Sequence, residues 1–296
     1  MISQRVKNIL LIPMNILYGI SPKTELKLLF RLKQGYSLNL KSPQTFNEKL
    51  QWMKLFWNSS IREQCSDKYT VRKYVEERCP EILPKLYWHG YSADEIPFDK
   101  LPDNYVIKVT HGSGYNIICD RNSTIENEKA KEQISKWLKQ KYLPCYGEEF
   151  YGKVKPSIII EEYLESEQKG GLIDYKVLCF DGTPRYIWCA FDRYSDKGPQ
   201  GVVFDTSWNV INGVYMSYPL RDKIKIPDKP VQLDQLLNYA EKLSKGLPHV
   251  RVDMYIIGPR IVFGEMSFSH GAGFDKIIPY EFDKMLGDCF KLPEER

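Results

Sequence analysis

The amino-acid sequence predicts an α+β protein, and three observations support this fold class. The first is the length of 296 residues, which suits one large enzyme-sized domain or two lobes that share a cleft. The second is a composition of 43% hydrophobic and 27% charged residues, which allows a sizeable core and excludes collagen-like, low-complexity and disordered proteins. The third is that helical patterns and mostly antiparallel β patterns both occur along the chain.

The N-terminal part of the chain has the patterns of helices. Thr45 stands three residues before Glu48, which is the capping-box signal for a helix start, and apolar residues follow at helical spacing up to residue 56. Residues 1–60 as a whole are predicted to be mainly helical. Further helices are predicted over residues 68–78, 124–142, 233–245 and 280–290.

The strands are predicted from β-branched and aromatic segments that end in turn residues. Asp181-Gly182 and Gly258-Pro259 are expected to join consecutive strands as hairpins, which indicates antiparallel pairing. The predicted strands are residues 105–110, 116–119, 157–164, 174–180, 185–191, 201–204, 250–257 and 260–267.

Charge is spread unevenly along the chain. Residues 1–60 contain nine lysines and arginines against two acids, a net charge of +7, whereas the whole chain has +4. This basic segment could approach a polyanion or an anionic membrane face, or could be a solvated helix face, and both interpretations stay open. A net charge of +4 is too small to indicate nucleic-acid binding, so no nucleic-acid partner is expected.

The spacing of the cysteines and the length of the apolar runs indicate the cellular compartment of the protein. The seven cysteines are scattered without a C-x-x-C pair, which favours buried thiols in a reducing compartment over a zinc site. No run reaches the roughly 20 apolar residues of a membrane span. We therefore expect a cytoplasmic protein. Because of the basic segment, we also expect peripheral contact with the inner face of the membrane.

A lysine and two glycines form the first candidate site. Lys108 lies on the predicted strand that leads into Gly112, Ser113 and Gly114. Glycines let the backbone approach phosphates closely, and a lysine adds a positive charge. The alternative interpretation is an ordinary hairpin tip.

Two acids form the second candidate site. Asp253 and Glu265 lie on neighbouring predicted strands, where alternation can place both carboxylates on one face. Acids within apolar strands are costly unless they are paired or bind a cation, and two carboxylates that face phosphates are a common magnesium arrangement. The alternative is a salt bridge to Arg251 or Arg260.

Two basic residues form the third candidate site. Lys176 lies on one strand of a predicted meander, and Arg193 follows the next strand. Two cations that point into a cleft would neutralise a phosphoryl group during transfer. The alternative is that both side chains face solvent.

Along the chain the lysine–glycine loop is followed by Glu161–Leu164, then by the basic pair and then by the acid pair, and in this order the motifs resemble the ATP-grasp fold, in which two α+β lobes clamp ATP. Within that fold they resemble the TupA-like branch, which is associated with teichuronopeptide and surface-polysaccharide biosynthesis. The resemblance covers nearly the whole chain. The segments that carry it are residues 35–41, 45–55 and 67–72, VIKVTHGSG at 106–114, EEYL at 161–164, DYK at 174–176, RVD at 251–253 and GEMS at 264–267.

The resemblance implies a nucleotide-binding role for several matched positions. Lys68 and Lys108 would hold the phosphates of ATP, and residues 112–114 would fold over them as a lid. The hinge between the lobes would contact adenine through its backbone. The residues that match this hinge are Glu161, Glu162, Tyr163 and Leu164.

The resemblance also implies catalytic and metal-binding positions. Lys176 and Arg193 would face the phosphates and an acyl phosphate, and Asp253 and Glu265 would bridge Mg²⁺. The chain departs from many ATP-grasp ligases at the last metal position, where Ser267 stands in place of asparagine. A serine hydroxyl is a weaker ligand for a hard cation, so a second metal ion would be bound more loosely or through water.

The resemblance divides the chain into three parts. Residues 1–64 would be a basic helical extension, residues 65–165 the N-terminal lobe with the glycine-rich lid, and residues 166–296 the C-terminal lobe with the metal site. Ser269 and His270 lie just beyond the metal acid, in a small polar stretch where acceptor binding is expected.

The expected activity is that of an ATP- and Mg²⁺-dependent carboxylate–amine ligase. The setting of the branch implies that an amino acid or peptide is joined to a uronic-acid carboxylate of a surface glycan or its precursor. Two other classes stay open: a glycosyltransferase that uses a sugar nucleotide, and a nucleotide-binding scaffold without activity. The glycosyltransferase is disfavoured because the sequence has no Asp-x-Asp motif and because it would leave the lysine–glycine hairpin unexplained.

Overall fold

The structure, a computed structural model, describes residues 11–120, 125–166, 170–193, 195, 198–218 and 225–294. Helices and antiparallel strands are mixed along these residues, which confirms the predicted α+β class. The helices are α1 (Ile12–Ile20), α2 (Pro22–Gln34), α3 (Phe46–Phe56), α4 (Ser60–Ser66), α5 (Val71–Glu76), α6 (Asn127–Leu138), α7 (Leu233–Ser244) and α8 (Tyr280–Asp288).

The strands form three antiparallel sheets. The first has four strands in the order β1-β4-β2-β3, the second has five in the order β10-β9-β5-β6-β7, and a small third sheet pairs β11 with β8. The strands are β1 (Leu86–Gly90), β2 (Tyr105–Val109), β3 (Asn116–Cys119), β4 (Ile158–Glu162), β5 (Asp174–Phe180), β6 (Thr183–Phe191), β7 (Gln200–Asp205), β8 (Tyr215–Met216), β9 (His249–Ile257), β10 (Arg260–Ser267) and β11 (Ile277–Ile278).

Each large sheet has its own core. The five-stranded sheet packs with α3, α5, α7 and α8 in one large apolar cluster, in which Phe46, Val75 and Leu236 are fully buried. The four-stranded sheet packs with α6 in a smaller cluster around Ile107 and Ile134. The large cluster crosses the predicted division at residue 64, since helices on both sides of it pack on the same sheet.

Two local signals in the sequence form the structures they predict. Thr45 accepts a hydrogen bond from the backbone N–H of Glu48, whose side chain bonds the backbone of Thr45 in return, so the capping box starts α3. In the turn between β5 and β6, Asp181 and Gly182 have φ angles of 48° and 74°. Such left-handed conformations match the right-handed twist of a two-residue hairpin.

The helix predicted over residues 68–78 is wrong in its bounds. The helix in this range, α5, is shorter than predicted, and Asp67 lies between it and α4, which ends at Ser66. The backbone of Asp67 is extended, and its Oδ1 accepts hydrogen bonds from the N–H groups of Tyr69 and Thr70, both at 2.9 Å. An aspartate that bonds the backbone in this way ends one helical segment and begins the next.

The structure contains no helix, within the described ranges, that is long and apolar enough to cross a membrane. All seven cysteines are free thiols, and six of them are buried. Their burial agrees with the expectation that most of the cysteines are small buried residues.

Candidate active site

A cleft of about 750 Å³ lies between the two large sheets. Strands β2 and β4 of the first sheet and β5, β9 and β10 of the second contribute side chains to it. The cleft is strongly polar and contains both basic and acidic residues. Its charged lining residues are Lys68, Arg72, Lys108, Glu161, Lys176, Arg193, Arg251, Asp253, Glu265 and Asp275.

Three cations lie at one side of the cleft, one on the first sheet and two on or just before α5. Lys108 on β2 and Arg72 on α5 both contact Glu161, at 2.7 Å and 2.5 Å. Glu161 is buried, so two cations neutralise one acid and a net positive charge faces the cleft. Lys68 donates a hydrogen bond to the carbonyl oxygen of Gly112 at 2.5 Å, and burial lowers its pKa. This side of the cleft is therefore suited to phosphate groups.

The glycine-rich hairpin lies directly beside these cations. It joins β2 to β3, and Ser113 and Gly114 line the cleft. Gly112 and Gly114 have φ angles of 84° and 78°, in the left-handed region that favours glycine. The turn of the hairpin therefore depends on glycine at these two positions.

The second sheet brings the two predicted metal acids together. In the pairing of β9 with β10, Asp253 and Glu265 stand directly opposite each other. The register shifts between Phe263 and Glu265, and Gly264 lies at this irregularity. A Cβ at Gly264 would approach the carbonyl oxygen of Asp253 to 3.0 Å, so glycine permits the bulge that brings Glu265 opposite Asp253.

Arg251 binds both of these acids. Its guanidinium contacts Asp253 at 2.7 Å and Glu265 at 3.0 Å, and Lys176 forms a further ion pair with Asp253. Burial alone would raise the pKa of Asp253, but the charges of Arg251 and Lys176 lower it to about 2. The salt bridge to Arg251, given above as an alternative to metal binding, is therefore present in the structure.

The donor set is suited to Mg²⁺. The described part of the chain contains no group of three or more histidine, cysteine, aspartate or glutamate side chains that could hold a metal ion. Mg²⁺ is commonly held by only one or two carboxylates, with phosphates and water as its other ligands. Asp253 is buried, whereas 48% of the Glu265 side chain is exposed to the cleft, so the pair offers hard oxygen donors beside the cations.

Lys176 and Arg193 both line the cleft, as the sequence predicts. Lys176 on β5 is paired in register with Asp253 on β9. Arg193 forms an ion pair with Asp174, which is fully buried and lies 3.4 Å from the Lys176 ammonium group. A chain of alternating charges therefore runs from Arg193 to Arg251 across the sheet.

Three of the four predicted hinge residues lie elsewhere. Glu161 lines the cleft, but Glu162, Tyr163 and Leu164 do not. Glu162 accepts hydrogen bonds from the backbone of Lys85 at 2.9 Å and from Arg260, also at 2.9 Å. Because Arg260 belongs to the second sheet, this ion pair connects the two lobes on the outside of the cleft.

A second cavity of about 620 Å³ adjoins the cleft. The two spaces share Lys68, Arg251 and Glu265 as lining residues. Ser267 lines this second cavity and not the cleft, although it lies two residues after Glu265. Ser269 also lines it and donates a hydrogen bond to Glu148.

His270 lines the cleft and not the second cavity. Its Nδ1 accepts from Arg251 at 2.7 Å, and its Nε2 lies 3.1 Å from the Ser217 hydroxyl. Burial and the nearby charge of Arg251 lower the pKa of His270 well below its usual value, so the imidazole is neutral. The histidine therefore holds Arg251 in place.

Two features of the site were not identified as functional from the sequence. Arg251 was considered only as a possible partner of an acid, although its alternation with Asp253 along β9 places both on one face. The second cavity combines residues from distant parts of the chain, among them Asp67, His111 and Glu148. No local pattern connects these segments.

Comparison with known proteins gives a family match. A family model described as TupA-like ATPgrasp matches residues 48–291. A search of curated proteins returns no match.

Several solved structures are similar at low identity. They include D-alanine–D-alanine ligase from Bacillus anthracis complexed with ATP (15% identity, 69% of this chain, 55% of that chain, TM-score 0.44). The corresponding ligase from Helicobacter pylori has 11% identity over 78% of this chain and 60% of that chain, with a TM-score of 0.44. The ATP-grasp ligase PsnB, complexed with minimal precursor, Mg and ADP, has 12% identity over 75% of this chain and 57% of that chain, with a TM-score of 0.39.

The chain spans less than two thirds of the length of each of these three structures. The family model, in contrast, extends over most of the chain and includes both large sheets. It also includes each candidate residue that lines the cleft. On this match the chain belongs to the TupA-like ATP-grasp family, as its motifs predict.

Proposed function

We propose that this protein is an ATP- and Mg²⁺-dependent ligase that joins a carboxylate to an amine through an acyl phosphate. One observation carries the proposal: Lys108, Lys176 and Arg251 meet Asp253 and Glu265 in a single cleft between two sheets. A triphosphate with its cation is the ligand that complements such a mixture of charges. Family membership supports the same nucleotide.

The first step is a phosphoryl transfer. An oxygen of the substrate carboxylate attacks the γ-phosphorus of ATP, the bond from that phosphorus to the β-phosphate oxygen breaks, and ADP leaves. Lys108 and Lys176 neutralise the charge on the phosphates during this step. Asp253 and Glu265 would hold Mg²⁺, which would supply further charge neutralisation.

The second step forms the amide. After its cationic form has lost a proton to solvent, the amine nitrogen attacks the acyl carbon, the bond from that carbon to the phosphate oxygen breaks, and inorganic phosphate leaves with the further proton that the nitrogen gives up. Arg251 lines both cavities and is suited to stabilise the oxyanion that develops on the acyl oxygen. Such a mechanism depends on positioning and charge, and it needs no covalent nucleophile from the protein.

We assign the second cavity to the remaining substrate. Two of its polar atoms, Asp67 Oδ2 and His111 Nδ1, are buried without a hydrogen-bond partner among the described residues, so a ligand there would complete their bonding. The carboxylates of Asp67 and Glu148 suit the cationic form of an amine. Ser269 lies at the wall of this cavity, where the sequence predicts acceptor binding.

The finer substrate assignment is a uronic-acid carboxylate of a surface or capsular polysaccharide, or its precursor, joined to an amino acid or peptide. The tyrosines of the second cavity support a sugar ligand, because aromatic rings pack on sugar rings while their hydroxyl groups form hydrogen bonds. These tyrosines are Tyr115, Tyr142, Tyr146 and Tyr151. The proposal keeps the expected location in the cytoplasm, at the inner face of the membrane.

An ADP-release assay tests the proposal. Purified protein with Mg-ATP is screened against amino acids and uronic-acid acceptors, and the product is identified by mass spectrometry. We expect ADP release that requires both a carboxylate and an amine, with an amide as the product. Release of UDP or GDP from a sugar nucleotide, with no ADP, would instead indicate a glycosyltransferase, and nucleotide binding without turnover in any combination would indicate a scaffold.

A further inference from the structure

The outer faces of α1 and α2 expose two rows of large aliphatic side chains. On α1, Ile12, Ile16 and Ile20 are spaced four residues apart and are 50%, 61% and 77% exposed. On α2, Leu28 and Leu32 have the same spacing and are 42% and 65% exposed. Single exposed aliphatic residues are ordinary, but rows at helical spacing on consecutive helices form an apolar surface.

The inner faces of these helices already have a partner. Tyr18 of α1 and Leu26, Leu29 and Phe30 of α2 are buried in an apolar cluster that also contains Phe274. The two helices are therefore anchored to the body of the protein without using the exposed rows. The exposed aliphatic side chains are not needed to hold the helices in place.

Among residues 11–60 the exposed charge has one sign. Lys23, Lys27 and Arg31 are exposed on α2, again at four-residue spacing. The two acids among residues 11–60, Glu25 and Glu48, are both buried. The segment therefore presents aliphatic and basic side chains to solvent, with no exposed carboxylate between them.

We propose that the outer face of α1 and α2 docks on an anionic phospholipid surface. The aliphatic rows would enter the boundary between headgroups and acyl chains, and the basic row would remain at the level of the phosphates. Helices of 9 and 13 residues are too short to span a bilayer, so they would lie in its plane. This inference does not depend on the proposed ligase activity.

Flotation with lipid vesicles tests the inference on the full chain without nucleotide. The probes are vesicles of equal parts phosphatidylglycerol and phosphatidylcholine, and vesicles of phosphatidylcholine alone. We expect binding to the anionic vesicles and much weaker binding to the neutral ones. The charge-removing double variant Lys27→Gln/Arg31→Gln should weaken binding about fivefold per residue, which corresponds to about 1 kcal/mol for each basic residue near the surface.

A second variant tests the aliphatic rows. Ile12→Gln/Ile16→Gln/Ile20→Gln should reduce binding to anionic vesicles by more than the charge variant does. Its melting temperature should stay close to that of the unchanged protein, because the three side chains are exposed. The matched controls are Val231→Gln, at a residue that is 98% exposed elsewhere, and Lys129→Gln/Lys136→Gln on α6, and both should bind like the unchanged protein.

Three results would overturn the inference. One is no binding of the unchanged protein to anionic vesicles. Another is equal loss of binding in the control variants, which would show a response to total charge and not to this surface. The third is that the unchanged protein is a dimer in light scattering, does not bind vesicles, and becomes a monomer in the isoleucine variant. A second copy of the chain would then cover this surface.

Discussion

Asp253 is a buried carboxylate whose partners differ between the free protein and the proposed complex. In the free protein it is neutralised by Arg251 and Lys176, which also keep it ionised. When Mg-ATP binds, the phosphates offer these cations new partners and the metal ion offers a new partner to Asp253. Glu265 opposite it is half exposed and forms an ion pair with Arg251, so it can turn to a ligand at smaller cost.

Substitution of the two acids should therefore have different consequences. Glu265→Gln should abolish the rise in melting temperature that Mg-ATP causes, without lowering the melting temperature of the free protein. Asp253→Asn should abolish the same rise and should also reduce the free energy of unfolding by about 3 kcal/mol, because two buried cations each lose one of their two acidic partners. Thermal unfolding with and without Mg-ATP measures both effects, and an undiminished ligand-induced rise in both variants would contradict the metal assignment.

Lys108 is assigned to the ligand and not to the core. Its side chain is partly exposed, and Arg72 still neutralises Glu161 when the lysine is removed. Lys108→Ala should reduce kcat/KM for ATP by about 100-fold or more, as for the loss of one charge-stabilising donor, and should leave the far-UV circular dichroism unchanged. The exposed Lys100→Ala is the matched control, and equal activity of the two variants would remove Lys108 from the site.

The individual residues of the cleft were largely predictable, because charged side chains are uncommon in apolar strands. Asp253, Lys176 and Lys108 are charged residues within apolar strands, and such residues are retained where they have a partner or a ligand. The orientation of Arg251 was not predictable in this way. Whether its guanidinium turns to the acids depends on the pairing of β9 with β10 and on the position of His270.

At the scale of elements, β9 begins with a buried histidine that has no catalytic assignment. His249 packs on Phe46 and Phe180 with ring centroids at 4.8 Å in each case, and its Nδ1 lies 2.9 Å from the carbonyl oxygen of Cys179. Burial lowers the pKa of His249 to about 3. The imidazole is therefore a neutral part of the core that joins the second sheet to α3.

This histidine should make the fold sensitive to acid. Below about pH 6.5 the unfolded chain binds a proton at His249 that the folded chain does not bind until about pH 3. The free energy of unfolding should therefore fall as the pH falls through this window, by about 1.4 kcal/mol per pH unit for one proton. In urea unfolding across this pH window, the free energy of unfolding of His249→Leu should depend less steeply on pH than that of the unchanged protein. The difference should correspond to about one proton fewer bound on unfolding.

A less buried histidine provides the comparison for this experiment. Burial also lowers the pKa of His89, but this residue lies on β1 and is only partly buried. His89→Gln should flatten the acid dependence less than His249→Leu does. An identical slope in the unchanged protein and in His249→Leu would show that His249 binds its proton equally in both states.

The long elements were predictable from the sequence, and the short ones were not. Strands β2, β5, β9 and β10 have strong β composition and clear turns, and each lies close to its predicted bounds. The two-residue strands β8 and β11 pair with each other, and so short a segment has no periodicity to detect. Tertiary pairing, and not local composition, forms this third sheet.

At the scale of the whole molecule, the function depends on how two sheets with separate cores face each other. The four-stranded sheet supplies Lys108 and the glycine-rich hairpin, and the five-stranded sheet supplies the acids and Lys176. The ion pair between Glu162 and Arg260 joins the sheets outside the cleft. The family, and with it the ATP-grasp arrangement, was predictable from the order of motifs, whereas the second cavity required the packed structure.

The central claim is that one cleft binds the nucleotide through both sheets together. Isothermal titration with a non-hydrolysable ATP analogue, with and without Mg²⁺, measures this binding most directly. The proteins to compare are the unchanged protein, Lys108→Ala from the first sheet, Lys176→Ala from the second sheet and the Lys100→Ala control. We predict one bound nucleotide per chain, tighter binding with Mg²⁺, and a weakening of about tenfold or more in each cleft variant but not in the control. Unchanged affinity in either cleft variant, or no binding to the unchanged protein, would contradict the account.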